Sequence, residues 1–125
     1  LYGINCRAVE EIAYLEQKLG AAAIFDRCGT PLTTQSAAAK ILWIKNHEPE
    51  IYAKTDKFLT STSYMVAKLT GKFVIDHYTA ATWVPIYSME KLGWEEDLRS
   101  VHRSRPAPQM QVPRRSASVS STRAI

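Results

Sequence analysis

The sequence predicts a mainly α-helical chain carrying a few short strands. Three observations point there. Apolar residues recur at helical spacing in several separate stretches. Ser or Pro stands where those stretches begin, and single glycines stand where they end. The extended apolar runs between them, Phe58-Leu59 and Phe73-Val74-Ile75, are only long enough for minor strands.

In chain order, Leu1 to Ile4 reads as the end of a strand, turning at Asn5, Cys6 and Arg7. An amphipathic helix follows over Ala8 to Leu19. Val9, Ile12, Leu15 or Tyr14, and Leu19 form its apolar stripe, with Glu10, Glu11, Glu16 and Lys18 facing water. Gly20 ends it, and Ala21 to Phe25 is more helix or a turn of small residues. Gly29-Thr30-Pro31 is a loop signal, and Ser36 is placed to cap a helix running to His47. Ile41, Leu42, Trp43 and Ile44 give that helix a broad buried face. Pro49 sits in the first turn of the next helix, between Glu48 and Glu50. Ser61 or Ser63 caps another helix, with Tyr64, Met65, Ala67 and Leu69 on one face and Gly71 as its stop. Trp83 to Tyr87, interrupted by Pro85, is at best an edge strand. Met89 to Arg99 reads as a turn and a last helix with Trp94 and Leu98 inward.

With 125 residues, 46% of them hydrophobic, the chain holds one modest core. It has no apolar run long enough to span a membrane and no signal-like start. Leu1 is not an initiating methionine, so the segment is expected to begin mid-protein. Cys6 and Cys28 lack metal-ligand spacing and are expected to be reduced thiols. The formal charge of +4 is uneven: residues 1–101 hold 11 Lys plus Arg and 12 Asp plus Glu, whereas residues 102–125 hold five Arg and no acid. The body is therefore near neutral and gives no electrostatic reason to expect nucleic-acid or membrane partners. The 102–125 segment, rich in Arg, Pro and Ser, has a disordered composition. The body uses eight Lys and three Arg, the tail only Arg; such a switch reads as a shifted reading frame or a junction after about Val101.

The stretch Lys40-Ile41-Leu42-Trp43-Ile44-Lys45-Asn46-His47, then Glu48-Pro49-Glu50, Tyr52, Phe58-Leu59, Leu69-Thr70-Gly71, Phe73 and Asp76, resembles the FGGY carbohydrate kinases and their xylulokinase-like branch. The likeness runs from about Leu1 to Leu98. It implies an α/β domain of the ribonuclease H-like, actin-like ATPase kind, of which residues 1–101 are an internal piece from the N-terminal, sugar-binding part. It further implies an ATP- and Mg2+-dependent, cytoplasmic enzyme that transfers the γ-phosphate to a sugar hydroxyl, with xylulose as the type substrate. Its other partner would be the remainder of the kinase, and oligomers are possible. Without the central sheet, several helices are expected to leave apolar faces uncovered, giving marginal stability or association.

The resemblance also places candidate residues. Asn5 and Arg7 fall in a turn near the sugar pocket, Asn5 where the family usually has Asp. Arg and an amide supply the donors and acceptors that sugar hydroxyls need, although the same two residues could merely cap the following helix. Thr79 lies where the family commonly has a second Asp, and Tyr78 and Thr82 are near it. The family's aromatic stacking positions fall at Gly3 and Gln35, neither of them aromatic. Trp43 among Ile and Leu reads as packing, with Lys40 a surface or capping cation, and His47 gains from its place at a helix C-terminus. Asp76 and His77 are adjacent on an expected strand and so would not converge as a dyad. No catalytic residue, cofactor ligand or metal ligand is assigned to this chain. The phosphate loop, the Gly-Gly-x-Asp stretch holding the base, and the nucleotide domain have no counterpart here, and the five glycines are scattered singly. By itself the piece is expected to be inactive. The competing readings are a helical interaction module whose basic arm binds RNA or acidic partners, and an inactive remnant.

Overall fold

The computed structural model describes residues 5–95. The expected strand end at 1–4, Gly3, Leu98 and the 102–125 segment lie outside the described residues. Within them run α1 (Val9–Leu19), α2 (Ala21–Cys28), α3 (Ala37–His47), α4 (Pro49–Lys54), α5 (Ser61–Thr70), α6 (His77–Ala81), β1 (Tyr87–Ser88) and β2 (Gly93–Trp94). The two strands pair antiparallel, Tyr87 opposite Trp94 and Ser88 opposite Gly93.

Most helix ends fall where the sequence marks them. Gly29 and Gly71 end α2 and α5 in the left-handed region, at φ 71° and 70°, where a side chain would be strained. Pro49 is the first residue of α4. Ala21 to Phe25 is helix rather than turn. Two caps differ from expectation. Thr60, not Ser61 or Ser63, caps α5: its Oγ1 accepts from the Ser63 amide at 3.2 Å because the extended backbone turns in one residue earlier. Ser36 stands at the N-terminus of α3, but its Oγ accepts from the Thr33 amide at 3.0 Å and so closes the preceding loop instead.

The core is two apolar clusters that share α3. Ala38 and Ile41 pack with Ile75, Ala80, Trp83 and Tyr87. Ala39 and Leu42 pack with Ala8, Leu15, Ile24 and Val84. A helix pressed on two sides needs apolar residues on both, which is why Ile41 and Leu42 are neighbours. The stripe on α1 is correspondingly narrow: Leu15 is fully buried, while Val9 and Tyr14 are exposed. Glu11, expected to face water, is 3% exposed because α3 covers it.

The last helix expected within Met89 to Arg99 does not form in its described part, where β2 of the ribbon stands instead. Trp94 does point inward, but from a strand. Its ring meets Tyr87 edge-on at 5.3 Å and Trp83 at 5.8 Å, and the Glu95 amide donates to the Ile86 carbonyl at 2.9 Å. Extended backbone brings the indole to both rings at once, and that packing outweighs local helix preference. Likewise the expected strand at 73–75 reduces to a single bridge at Val74, with Ile75 buried. Tyr87 is fully buried; its hydroxyl bonds His77 Nδ1, and its carbonyl accepts from the Cys28 thiol at 3.3 Å.

The outer helices bury little. No residue of α4 is buried, and α5 buries only Ser63. The apolar face of α5 is largely uncovered: Tyr64 and Met65 are exposed, and Leu69 is 80% exposed.

α6 is capped by Asp76, which accepts from the Thr79 amide at 2.8 Å and the Thr79 hydroxyl at 2.7 Å. The Thr79 hydroxyl, then its amide, holds the Asp76 carboxyl below its usual 3.8. A depressed carboxyl contributes fully above its unfolded value and loses that contribution as pH falls through the lower native value. Acid unfolding followed from about pH 6 to about pH 2 should therefore be shallower in Asp76→Asn than in the unsubstituted chain. Thr60→Ala should cost about 1 kcal/mol in chemical denaturation, while Ser61→Ala stays within about 0.5 kcal/mol. The exposed apolar faces should bind a hydrophobic dye and drive association in sedimentation. A dye-silent monomer with one sharp thermal transition would contradict this.

Candidate functional site

The turn before α1 is ordered by its own side chains. Asn5 Oδ1 accepts from Arg7 Nε at 3.1 Å and from the Arg7 amide at 3.4 Å. Neither residue caps α1: the residue at its N-cap is Ala8, which makes no side-chain cap bond. The capping reading therefore falls, and the pair instead presents an exposed guanidinium whose carbon lies 4.1 Å from the centre of the Trp43 ring.

Trp43 is only partly buried, so it is not simply core. It packs on the cluster around Leu42 and carries two polar groups, Arg7 and His47. The His47 ring stacks on it at 4.6 Å and 11°, and His47 Nδ1 bonds the Trp43 carbonyl at 3.1 Å. Glu11 Oε1 accepts from Asn46 Nδ2 at 3.1 Å and lies 3.7 Å from His47 Nδ1; its other oxygen is buried with no hydrogen-bond partner. The residues around the Trp43 signature thus form one polar cluster where α1 meets α3.

Thr79 belongs to a second place. Its hydroxyl hydrogen goes to Asp76, leaving its oxygen lone pairs to accept, and it sits on α6, whose packing partner is β1. The structure brings Asn5 and Arg7 together and sets Thr79 elsewhere with Asp76. Tyr78 is 88% exposed beside it. Asp76 and His77 do not converge, but the reason is a helix start rather than strand alternation: Asp76 turns to Thr79 and His77 to Tyr87.

Sequence reasoning missed Glu11 and Asn46. A usable signal was present only for Asn46, which lies three residues after Trp43 and so on the same side of α3. It also missed two buried orphans, Gln35 Oε1 and Trp83 Nε1, in loops joined by the Ala37 amide donating to the Thr82 carbonyl at 3.1 Å. Cys6 is exposed and Cys28 buried, both free, and burial pushes the Cys28 thiol up, which suits packing rather than nucleophilic chemistry. Among the described residues no group of three His, Cys, Asp or Glu could hold a metal ion.

Residues 4–113 match the family model described as "FGGY family of carbohydrate kinases, N-terminal domain", a match that runs past the change of composition at Val101. The chain is 32% identical over 92 residues to the xylulose kinase of Escherichia coli (strain K12), covering 72% of this chain and 18% of that protein. It is 28% identical over 87 residues to a gluconokinase of Bacillus licheniformis, covering 70% of this chain and 17% of the relative. The structure of xylulose kinase from Rhodospirillum rubrum superposes with a TM-score of 0.73 at 28% identity, over 86% of this chain and 21% of that one. The chain thus spans about a fifth of the relatives it matches, and its mostly helical body with two short strands is the corresponding piece of their actin-like ATPase fold. With the Trp43 cluster standing inside a match that covers most of its length, the chain belongs to the FGGY family of carbohydrate kinases.

Proposed function

We propose that the chain is part of the acceptor-holding lobe of a cytoplasmic, ATP-dependent kinase that phosphorylates a hydroxyl of a xylulose-like pentulose or related polyol. The observation that carries this is the Arg7 guanidinium, exposed yet held between Asn5 Oδ1 and the Trp43 ring. A guanidinium fixed in this way offers several N–H donors in one plane, and the Asn5 amide adds its own donors, as vicinal hydroxyls require. Thr79 would contribute an acceptor from α6. In this role the residues bind and orient the sugar and fix which hydroxyl is presented; they take no proton.

ATP and Mg2+ belong to the proposal for the whole enzyme, not to these residues. The glycines that adopt positive φ, Gly20, Gly29 and Gly71, each stand alone at a helix end, so none builds a phosphate cradle. Together with the lack of a metal-holding group among the described residues, the residues present do not fit the nucleotide or its metal, and no phosphoryl-transfer step is assigned to them. The chain alone is proposed to be inactive, with the rest of a kinase polypeptide as its working partner. No described helix is long and apolar enough to cross a membrane.

A chimera tests this reading. Residues 4–95 would replace the matching segment of the Escherichia coli xylulose kinase, and ATP consumption would be followed with D-xylulose, L-ribulose, L-fuculose and gluconate. Turnover with at least one sugar is expected, falling about tenfold or more when Arg7→Ala is introduced. A folded chimera inactive on every sugar overturns the reading, as does an active one indifferent to Arg7.

A further inference from the structure

We infer that Glu11 is a positioning residue for the Arg7 guanidinium, acting through His47 and Trp43. The inference rests on the sugar-contact reading of Arg7 for its purpose, but not for its geometry.

The chain of contacts is continuous. Glu11 is 3% exposed on the α3-facing side of α1. Its Oε1 accepts from Asn46 at 3.1 Å and faces His47 Nδ1 at 3.7 Å. His47 in turn lies flat on the Trp43 indole, 4.6 Å away and within 11° of parallel. Trp43 carries Arg7 at 4.1 Å, and Arg7 holds Asn5 at 3.1 Å. Each contact restricts the next: a buried carboxylate cannot wander, and a stacked imidazole limits the rotamers open to the indole. Arg7 and Glu11 lie four residues apart where the chain enters α1, and both reach the last turns of α3.

Burial of this carboxylate is poorly compensated. Its Oε2 is sealed from solvent and has no partner. Packing alone would be served as well or better by an apolar side chain of the same size, because a buried polar group with a bare oxygen carries a desolvation penalty that its partners only partly offset. A residue with that defect, sitting at the root of an ordered path to the exposed guanidinium, does more for geometry than for stability.

The test uses the 125-residue chain and the ring-current shifts of the Arg7 δ and ε protons over Trp43, read by NMR beside the thermal midpoint. Trp43→Ala gives the Arg7 shifts with no ring beneath the guanidinium. Glu11→Leu should keep or raise the midpoint while moving the Arg7 shifts most of the way to that reference. His47→Ala, at a half-exposed side chain, should do the same with little change in midpoint, and the double variant should add nothing further. Unchanged Arg7 shifts in a folded Glu11→Leu chain overturn the inference; if that chain does not fold, unchanged shifts in His47→Ala overturn it. A parallel titration with D-xylulose separates this from the function. Where the unsubstituted chain binds the sugar, Glu11→Leu should weaken binding about tenfold, and undiminished binding counts against the inference. Where it does not bind, the sugar-contact reading loses support for the isolated chain and the Arg7 shifts alone decide.

Discussion

The structure depends on one helix being pressed from two sides. α3 gives Ala38 and Ile41 to the cluster around Tyr87 and Trp83, and Ala39 and Leu42 to the cluster around Leu15 and Ile24. Both clusters draw on it: on one side it meets Ala80 of α6, Trp83 and Tyr87, and on the other α1, α2 and Val84. The small residues at the N-terminal end of α3 allow close approach on both sides, and the larger Ile41 and Leu42 fill the space beyond. Because α3 is shared, its far end is also fixed, and that end carries Trp43, Asn46 and His47 into the α1 junction. The polar cluster inherits its rigidity from the apolar one.

Around that centre the molecule is lopsided. α1 to α3 and the ribbon hold the buried residues, whereas α4 and α5 lean on the body by a few aromatic and aliphatic contacts, Tyr52 and Phe58 among them. Leu69, Met65 and Tyr64 face outward. A domain that ended its packing there would expose large apolar groups for nothing. Beside relatives about four times as long as this chain, such faces are where further polypeptide is proposed to rest.

The candidate site joins the two halves of this picture. Arg7 is exposed, as a group proposed to meet a sugar must be, and is held by Asn5 in its own turn and by Trp43 on α3. Asn5 brings no formal counter-charge to the guanidinium in its own turn, so the position of Arg7 owes more to the indole and the amide than to ion pairing. Thr79, on α6, is held by a cap bond that itself sets the start of the helix. Both candidate regions thus use the bonds that build the local fold to aim the groups proposed to meet substrate.

The positions of α1, α3, α4 and α5, the stop at Gly71, Pro49 at the head of α4 and the family signature around Trp43 were legible from the sequence, because each depends on residues within a few positions of one another. What the sequence could not supply were outcomes settled by distant partners. Glu11 looked like a water-facing acid until α3 covered it. Residues 93–94 became strand because Trp83 and Tyr87 supply rings that an extended Trp94 can reach, and Tyr64, Met65 and Leu69 of α5 stay exposed among the described residues. Local chemistry determined which segments are helices and where they stop; only tertiary contact decided which faces are inside, because burial is a property of pairs of surfaces and not of a single run of residues.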